Sequence, residues 1–277
     1  MLNALLQYSF LQNAFIVAVL ACIACGIMGT IIIEKKMVMM SGGIAHAAFG
    51  GIGLGYLLGI EPLIGALFFS ILSAIAIAII HRKTNTNTDI LIGMFWALGM
   101  ALGILFIAFT PGYPPDMTSY LFGDILMVSQ MDLVITIVLN CIVVFIIIAF
   151  FNSLKAYLFD EEFAAVIGVP TSLLEYTVFV LIALTVVVLI RVVGIILIIA
   201  LLTVPPSIAK QFTFQLRDVI WLSIIIGIVF CLAGLWLSYS LHIPSGAVII
   251  IVSVCSYIIV SGFNHGLKKA LPKNSPQ

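Results

Sequence analysis

Charge is what this chain has least of. Only 8% of its 277 residues are Asp, Glu, Lys or Arg, while 64% are hydrophobic. A soluble domain draws on roughly a quarter charged residues to cover its surface, so an aqueous exterior is excluded for most of the molecule. Acids and bases balance to a net charge of zero and the bases fall in twos and threes, which leaves no electrostatic footprint for nucleic acid. No G-x-x-x-x-G-K-[ST] phosphate loop, G-x-S-x-G elbow or H-E-x-x-H helix is present. The chain is therefore not expected to be an enzyme or to bind a cofactor, and any ATP that drives it must be hydrolysed elsewhere. No basic stretch precedes the first apolar run and no small-residue cleavage site comes after it, so a retained helix is expected and not a cleaved leader. Cysteines 22, 25, 141, 231 and 255 all lie in apolar runs. Cys22 and Cys25 have the CxxC spacing of redox and metal motifs, yet no second such pair accompanies them, and packing as small apolar residues is the preferred reading.

What the chain does have is apolar runs about one bilayer long. In hydrocarbon each segment must bond its own backbone, and runs of roughly 20 residues read as spanning helices. The expected fold is an all-α, polytopic membrane protein forming one domain over residues 1–277. Nine spans are expected: Phe10–Ile33, Met37–Ile60, Leu63–Ile80, Ile90–Thr110, Leu133–Phe151, Leu174–Ile190, Val192–Ala209, Val219–Ser240 and Ser245–Gly262. Eight is the alternative if one short span is re-entrant, since only Arg191 interrupts Leu174 to Ala209. Five basic clusters fall on alternate connections: Lys35-Lys36, His81-Arg82-Lys83, Lys155, Lys210 to Arg217, and the tail with Lys268, Lys269 and Lys273. Bases accumulate on the cytoplasmic side, so nine crossings place the N-terminus outside and the C-terminus inside. Two connections are long. Pro111 to Asp116 is proline-rich and leads into an apolar stretch, Ser119 to Ser129. The cytoplasmic one contains Phe159 to Pro170, where Asp160, Glu161 and Glu162 begin and Gly168 and Pro170 end a short helix by composition. Such a helix is either a docking surface or a connector.

Within the spans an ionisable side chain is costly, ~2.5–3.5 kcal/mol at a helix centre. His46 lies near mid-membrane among Ser41-Gly42-Gly43 and Gly50, Gly51, Gly53 and Gly55. It is either a metal ligand in a transport path or a histidine bonded across a close helix contact. Asp124, in Leu121-Phe122-Gly123-Asp124, is the other embedded acid, with a turn or N-cap as the plainer reading. Pro205-Pro206 is expected to break its helix and free carbonyls, and Thr84 to Thr88 to form a polar turn capping the next helix.

Four segments in order resemble the permease subunits of the zinc/manganese/iron-type ABC importers: Met37-Val38-Met39-Met40-Ser41-Gly42-Gly43-Ile44-Ala45-His46-Ala47, Leu121 to Leu126, Phe159 to Pro170, and Val193-Gly194-Ile195 through Leu202 to Ala209. The resemblance extends over about residues 10–262. Ile243-Pro244-Ser245-Gly246 is also similar to the vitamin B12 and siderophore permeases, which implies a type II importer fold. The resemblance further implies a prokaryotic plasma-membrane protein that pairs with a second permease copy. Cytoplasmic ABC ATPases would dock through Phe159 to Pro170, with Asp160, Glu161, Glu162 and Gly168 as coupling residues. An extracellular or periplasmic metal-binding protein would deliver the divalent ion, with His46 as a ligand in the path. The family's second-span motif reads Gly-Asp-Ala-Leu-Ser-His, with Asp and His on one helix face. Here Gly42 occupies the Asp position while His46 keeps the His, so either another group, Asp124 or Met37/Met40, substitutes for the carboxylate or the substrate differs, which leaves the choice among Zn, Mn and Fe open. Two other classes remain: an ion-coupled secondary transporter, which normally needs buried acids, and a membrane scaffold, which needs no docking helix.

Overall fold

The computed structural model describes residues 9–111, 123, 125, 128–241 and 243–270. Its helices are α1 Ser9–Glu34, α2 Val38–Leu58, α3 Pro62–Thr84, α4 Thr88–Phe109, α5 Gln130–Ala149, α6 Phe151–Phe159, α7 Glu161–Val166, α8 Thr171–Val193, α9 Ile195–Ala209, α10 Leu216–Leu241 and α11 Ser245–Ala270. Among the described residues there is no β-strand. Eight helices are long and apolar enough to cross a membrane: α1 to α5, α8, α10 and α11.

The expected seventh span, Val192–Ala209, differs. Arg191 to Val193 complete α8, and the break falls at Gly194, whose φ of 81° and ψ of 161° suit glycine and not an L side chain. The next helix, α9, is only 15 residues long. It still connects the two polar ends of the bundle, because Arg191 at its entry pairs with Glu61 and Lys210 at its exit pairs with Glu34. A side chain at Gly123 would overlap the backbone of Val193 and Gly194, so close backbone approach also shapes this corner. Pro205 and Pro206 do not break α9, which runs through both. Neither offers an N–H to Leu201 or Leu202, but the Leu202 carbonyl lies against Gly29 of α1, where any Cβ would overlap it.

Helix association in lipid rests on close packing, with no hydrophobic drive between helices. The glycines of α2 supply it. A Cβ on Gly51 would overlap the Gly65 carbonyl of α3, one on Gly53 would meet the Gly103 carbonyl of α4 at 2.6 Å, and one on Gly55 would meet Pro62 Cα at 2.7 Å. Buried α1, α2 and α8 form the centre, while α4, α5 and α11 leave most of their surface outward. Cys22, Cys25 and Cys231 are buried at the α1–α10 contact, with Cys22 Sγ 3.4 Å from Cys231 Sγ, in keeping with the packing reading.

Ionic groups sort to the two ends. One end gathers Glu34, Lys35, His81, Arg82, Glu161, Glu175 and Lys210; the other gathers Glu61, Asp132 and Arg191. The base-rich end faces the cytoplasm by the positive-inside rule. An impermeant thiol reagent applied to intact cells is therefore expected to label Ile60→Cys, beside Glu61, and not Lys83→Cys, beside Arg82. Labelling in the opposite pattern inverts the orientation.

Candidate functional site

His46 sits in the middle of α2, half-buried, and its position is set by two contacts. Nδ1 donates to the Gly42 carbonyl one turn earlier at 2.8 Å. A carbonyl only accepts, so Nδ1 carries a proton, and in the neutral imidazole the lone pair is then on Nε2. The ring also stacks on Trp96 of α4, with centroids 4.1 Å apart and planes 18° from parallel. Backbone-anchored imidazole with Nε2 open is the arrangement of metal-ligating histidines, whose second nitrogen is held by a carbonyl or carboxylate. Trp96 gave no signal in the sequence beyond an apolar residue on a spanning helix, because its contact depends on how α2 and α4 pack.

Around His46 the described residues offer little anionic charge. Asp124 lies outside the described residues. No group of three or more His, Cys, Asp or Glu suited to a metal occurs among the described residues. At position 42 a side chain is sterically admissible: its Cβ would lie 3.6 Å from Ile199 Cδ1 and 3.7 Å from Trp96, both ordinary contacts. Gly43 is the opposite case, because its Cβ would overlap Cγ2 of the fully buried Ile92.

The second candidate region is the end near α7. The expected single helix over Phe159 to Pro170 is shorter than that, running only over Glu161–Val166. Asp160 is extended (φ −153°, ψ 101°) and caps α7 by accepting from the Phe163 N–H at 2.9 Å, which separates α7 from α6. Gly168, at φ 85°, turns the chain toward α8. Thr84 to Thr88 also behaves as expected, with the Asn87 side chain capping α4 through the Asp89 N–H at 2.8 Å.

Glu161 and Glu162 play different parts. Glu162 is exposed. Glu161 is held within the chain, by Lys35 Nζ at 2.9 Å and Arg82 Nη2 at 3.3 Å. Arg82 also pairs with Glu175, a carboxylate only 3% exposed that His81 Nδ1 reaches at 3.0 Å. Lys35 Nζ lies 3.5 Å above the ring of Tyr157. Burial, then the neighbouring Glu175 and Glu161 carboxylates, push the Tyr157 phenol well above its ordinary range, so it stays neutral. Glu175 and Tyr157 were not singled out by the sequence, since one acid and one tyrosine near a helix end look like solvated residues until their partners are in place. Beside this network Phe159, Phe163, Val166 and Ile167 are exposed.

Membrane-length helices packed around a half-buried imidazole, with an exposed apolar patch at one end, fit a transport permease. The chain belongs to the ABC 3 transport family, which it matches over residues 7–264. A permease subunit of such a transporter is not itself catalytic. The chain is 42% identical to an uncharacterised membrane protein of Synechocystis, over 93% of this chain and 92% of that one. It is 32% identical to the manganese transport system membrane protein MntC of Halalkalibacterium halodurans, over 95% and 90%. Among solved structures, PsaBC from Streptococcus pneumoniae in complex with Fab superposes with a TM-score of 0.82 at 33% identity, over 94% of this chain and 93% of that chain. It is thus a multi-pass plasma-membrane protein of the metal ABC permease type.

The adjacent glycines give a sharp expectation. Gly42→Ala should leave assembly and thermal stability in detergent unchanged, whereas Gly43→Ala forces Ile92 out of place and should destabilise by about 1–3 kcal/mol, as overpacking does. Equal melting temperatures for the two variants would contradict the α2–α4 packing.

Proposed function

We propose that this chain is the transmembrane subunit of an importer that moves a divalent transition metal ion of the zinc, manganese or iron class into the cytoplasm, driven by ATP hydrolysed on separate subunits. The observation that carries the metal reading is the Nδ1 bond from His46 to the Gly42 carbonyl, which presents Nε2 as a ligand at mid-membrane. The names of the relatives, which include a manganese transport system membrane protein, support the same cargo class.

One imidazole is an incomplete site, and a second copy of the chain supplies another. Gly93, Ala97 and Ala101 form an exposed line of small residues four apart on α4, the helix that carries Trp96. A Cβ on Gly93 would meet nothing within 4 Å. Small residues at this spacing let helices approach closely, so α4 supports a homodimer that encloses the path between two copies of His46. The exposed apolar face of α7 with Glu162 beside it suits a cytoplasmic ATPase, and an external metal-binding protein completes the import route.

Three outcomes test the reading in liposomes containing the permease with its ATPase. His46→Ala should abolish uptake of zinc and manganese while the ATPase still co-purifies; uptake at wild-type rates makes His46 a packing residue. Gly42→Asp, for which there is room, should shift preference toward manganese, because carboxylate suits harder cations than imidazole does. An unchanged zinc-to-manganese ratio would remove position 42 from the site. Glu162→Lys should weaken ATPase association, and normal co-purification would argue against docking at α7.

A further inference from the structure

Helices α3, α5 and α8 leave an apolar groove of about 510 Å³ between them, with Ile75 and Ile79 of α3, Ile142 and Ile146 of α5, and Tyr176 and Leu184 of α8 in its wall. It opens at the base-rich end of the bundle. Ile79, Ile146 and Tyr176 each come within about a turn and a half of the helix ends at Thr84, Ala149 and Thr171. From Tyr176 to Leu184 α8 rises about 12 Å, so the groove runs from the cytoplasmic surface toward the middle of a hydrocarbon core ~30 Å thick.

Two polar groups mark the mouth. The Tyr176 phenol, half-buried in the groove wall, has no hydrogen-bond partner among the described residues. Lys83 stands one turn beyond Ile79 on the same face of α3, is exposed, and has no carboxylate within ion-pair distance among the described residues. Its neighbour Arg82 is the contrasting case, because Glu161 and Glu175 both hold it. The cation beside the groove is therefore uncompensated.

We propose that this groove binds an anionic phospholipid of the cytoplasmic leaflet, with an acyl chain along the isoleucine wall, the phosphate at Lys83 and the Tyr176 hydroxyl donating to an ester oxygen. At this depth hydrocarbon is the solvent, so a concavity lined by isoleucine is filled by hydrocarbon. The lysine at its mouth sets the sign of the head group, as basic pockets between spanning helices do on the cytoplasmic side. A second copy of the chain docked by an apolar face would leave Lys83 without a counter-charge. The homodimer contact on α4 lies elsewhere, since α4 contributes nothing to the wall.

Native mass spectrometry can test the site on the assembled transporter released from nanodiscs of equal parts phosphatidylglycerol and phosphatidylcholine. Each permease copy should retain one phospholipid, with phosphatidylglycerol favoured roughly fivefold, the worth of one lysine beside anionic lipid. Lys83→Gln should bring the ratio close to equality, and Lys83→Arg should keep it. Ile142→Trp, at a position 41% exposed where a larger ring does not overpack the core, should fill the groove and remove the retained lipid. Equal retention of the two lipids by the wild type, an undiminished preference in Lys83→Gln, or unchanged retention in Ile142→Trp would each overturn the site. Should Ile142→Trp instead split the permease pair and leave lipid retention unchanged, the groove is an interface between copies and the lipid assignment fails.

Discussion

Backbone-to-backbone approach between α2 and its neighbours is the constraint on which the rest depends. Lipid tails are as apolar as leucine, so nothing like the aqueous hydrophobic effect presses these helices together. Contact must come from shape. Gly51 against Gly65, Gly53 against Gly103 and Gly43 against Ile92 bring α3 and α4 onto α2 at distances no Cβ would permit. The stacking of Trp96 on His46 depends on that register, while the Gly42 carbonyl beneath Nδ1 is set within α2 itself, one turn earlier. The stacking partner of the imidazole is thus brought into place by glycines that never touch the ring.

The same solvent decides where charge can go. Hydrocarbon tolerates an ion only when it is paired or at an end, and the ion pairs gather in two layers. In the base-rich layer a carboxylate as buried as Glu175 survives because Arg82 and His81 both reach it. The opposite layer explains the lone arginine between the sixth and seventh apolar runs: Arg191 is not a failed span boundary but the partner of Glu61 and Asp132. Its pairing also lets the chain turn at Gly194 and descend as α9 without a long connecting loop.

Much of this was legible in the sequence where the signal is local. Apolar length gave the spans, basic clusters gave the two ends, and Asp160 with Gly168 marked the limits of a short helix, though α7 is shorter than composition suggests because Asp160 is spent on capping. Misreadings occur where distant contacts decide. Pro205 and Pro206 look like a break, yet α1 packs Gly29 against the Leu202 carbonyl and the helix continues. Val192 looks like the start of a span, but Gly194 is the residue able to adopt the required φ. Glu161 resembles a surface acid for a partner, whereas Lys35 and Arg82, far away in sequence, already hold it. No local pattern encodes such pairings, and the stack of Trp96 on His46 belongs to the same class.

On the proposed metal-site reading, position 42 lacks a ligand while the geometry of His46 is kept. The backbone carbonyl of Gly42 orients the imidazole whatever the side chain is, so the role of fixing His46 survives without the carboxylate found in the family motif. What the carboxylate would have added is charge. A dication leaving water for mid-membrane gains most from anionic oxygen, and the gain matters most for hard ions that hold their hydration tightly. On the proposed reading, a path lined by neutral imidazole from two copies binds such ions less and releases them sooner, while favouring ions that accept nitrogen ligands. In an importer that shift has two sides: a weaker site captures less, yet a cargo that is held less firmly is easier to discharge toward the cytoplasm when the helices rearrange.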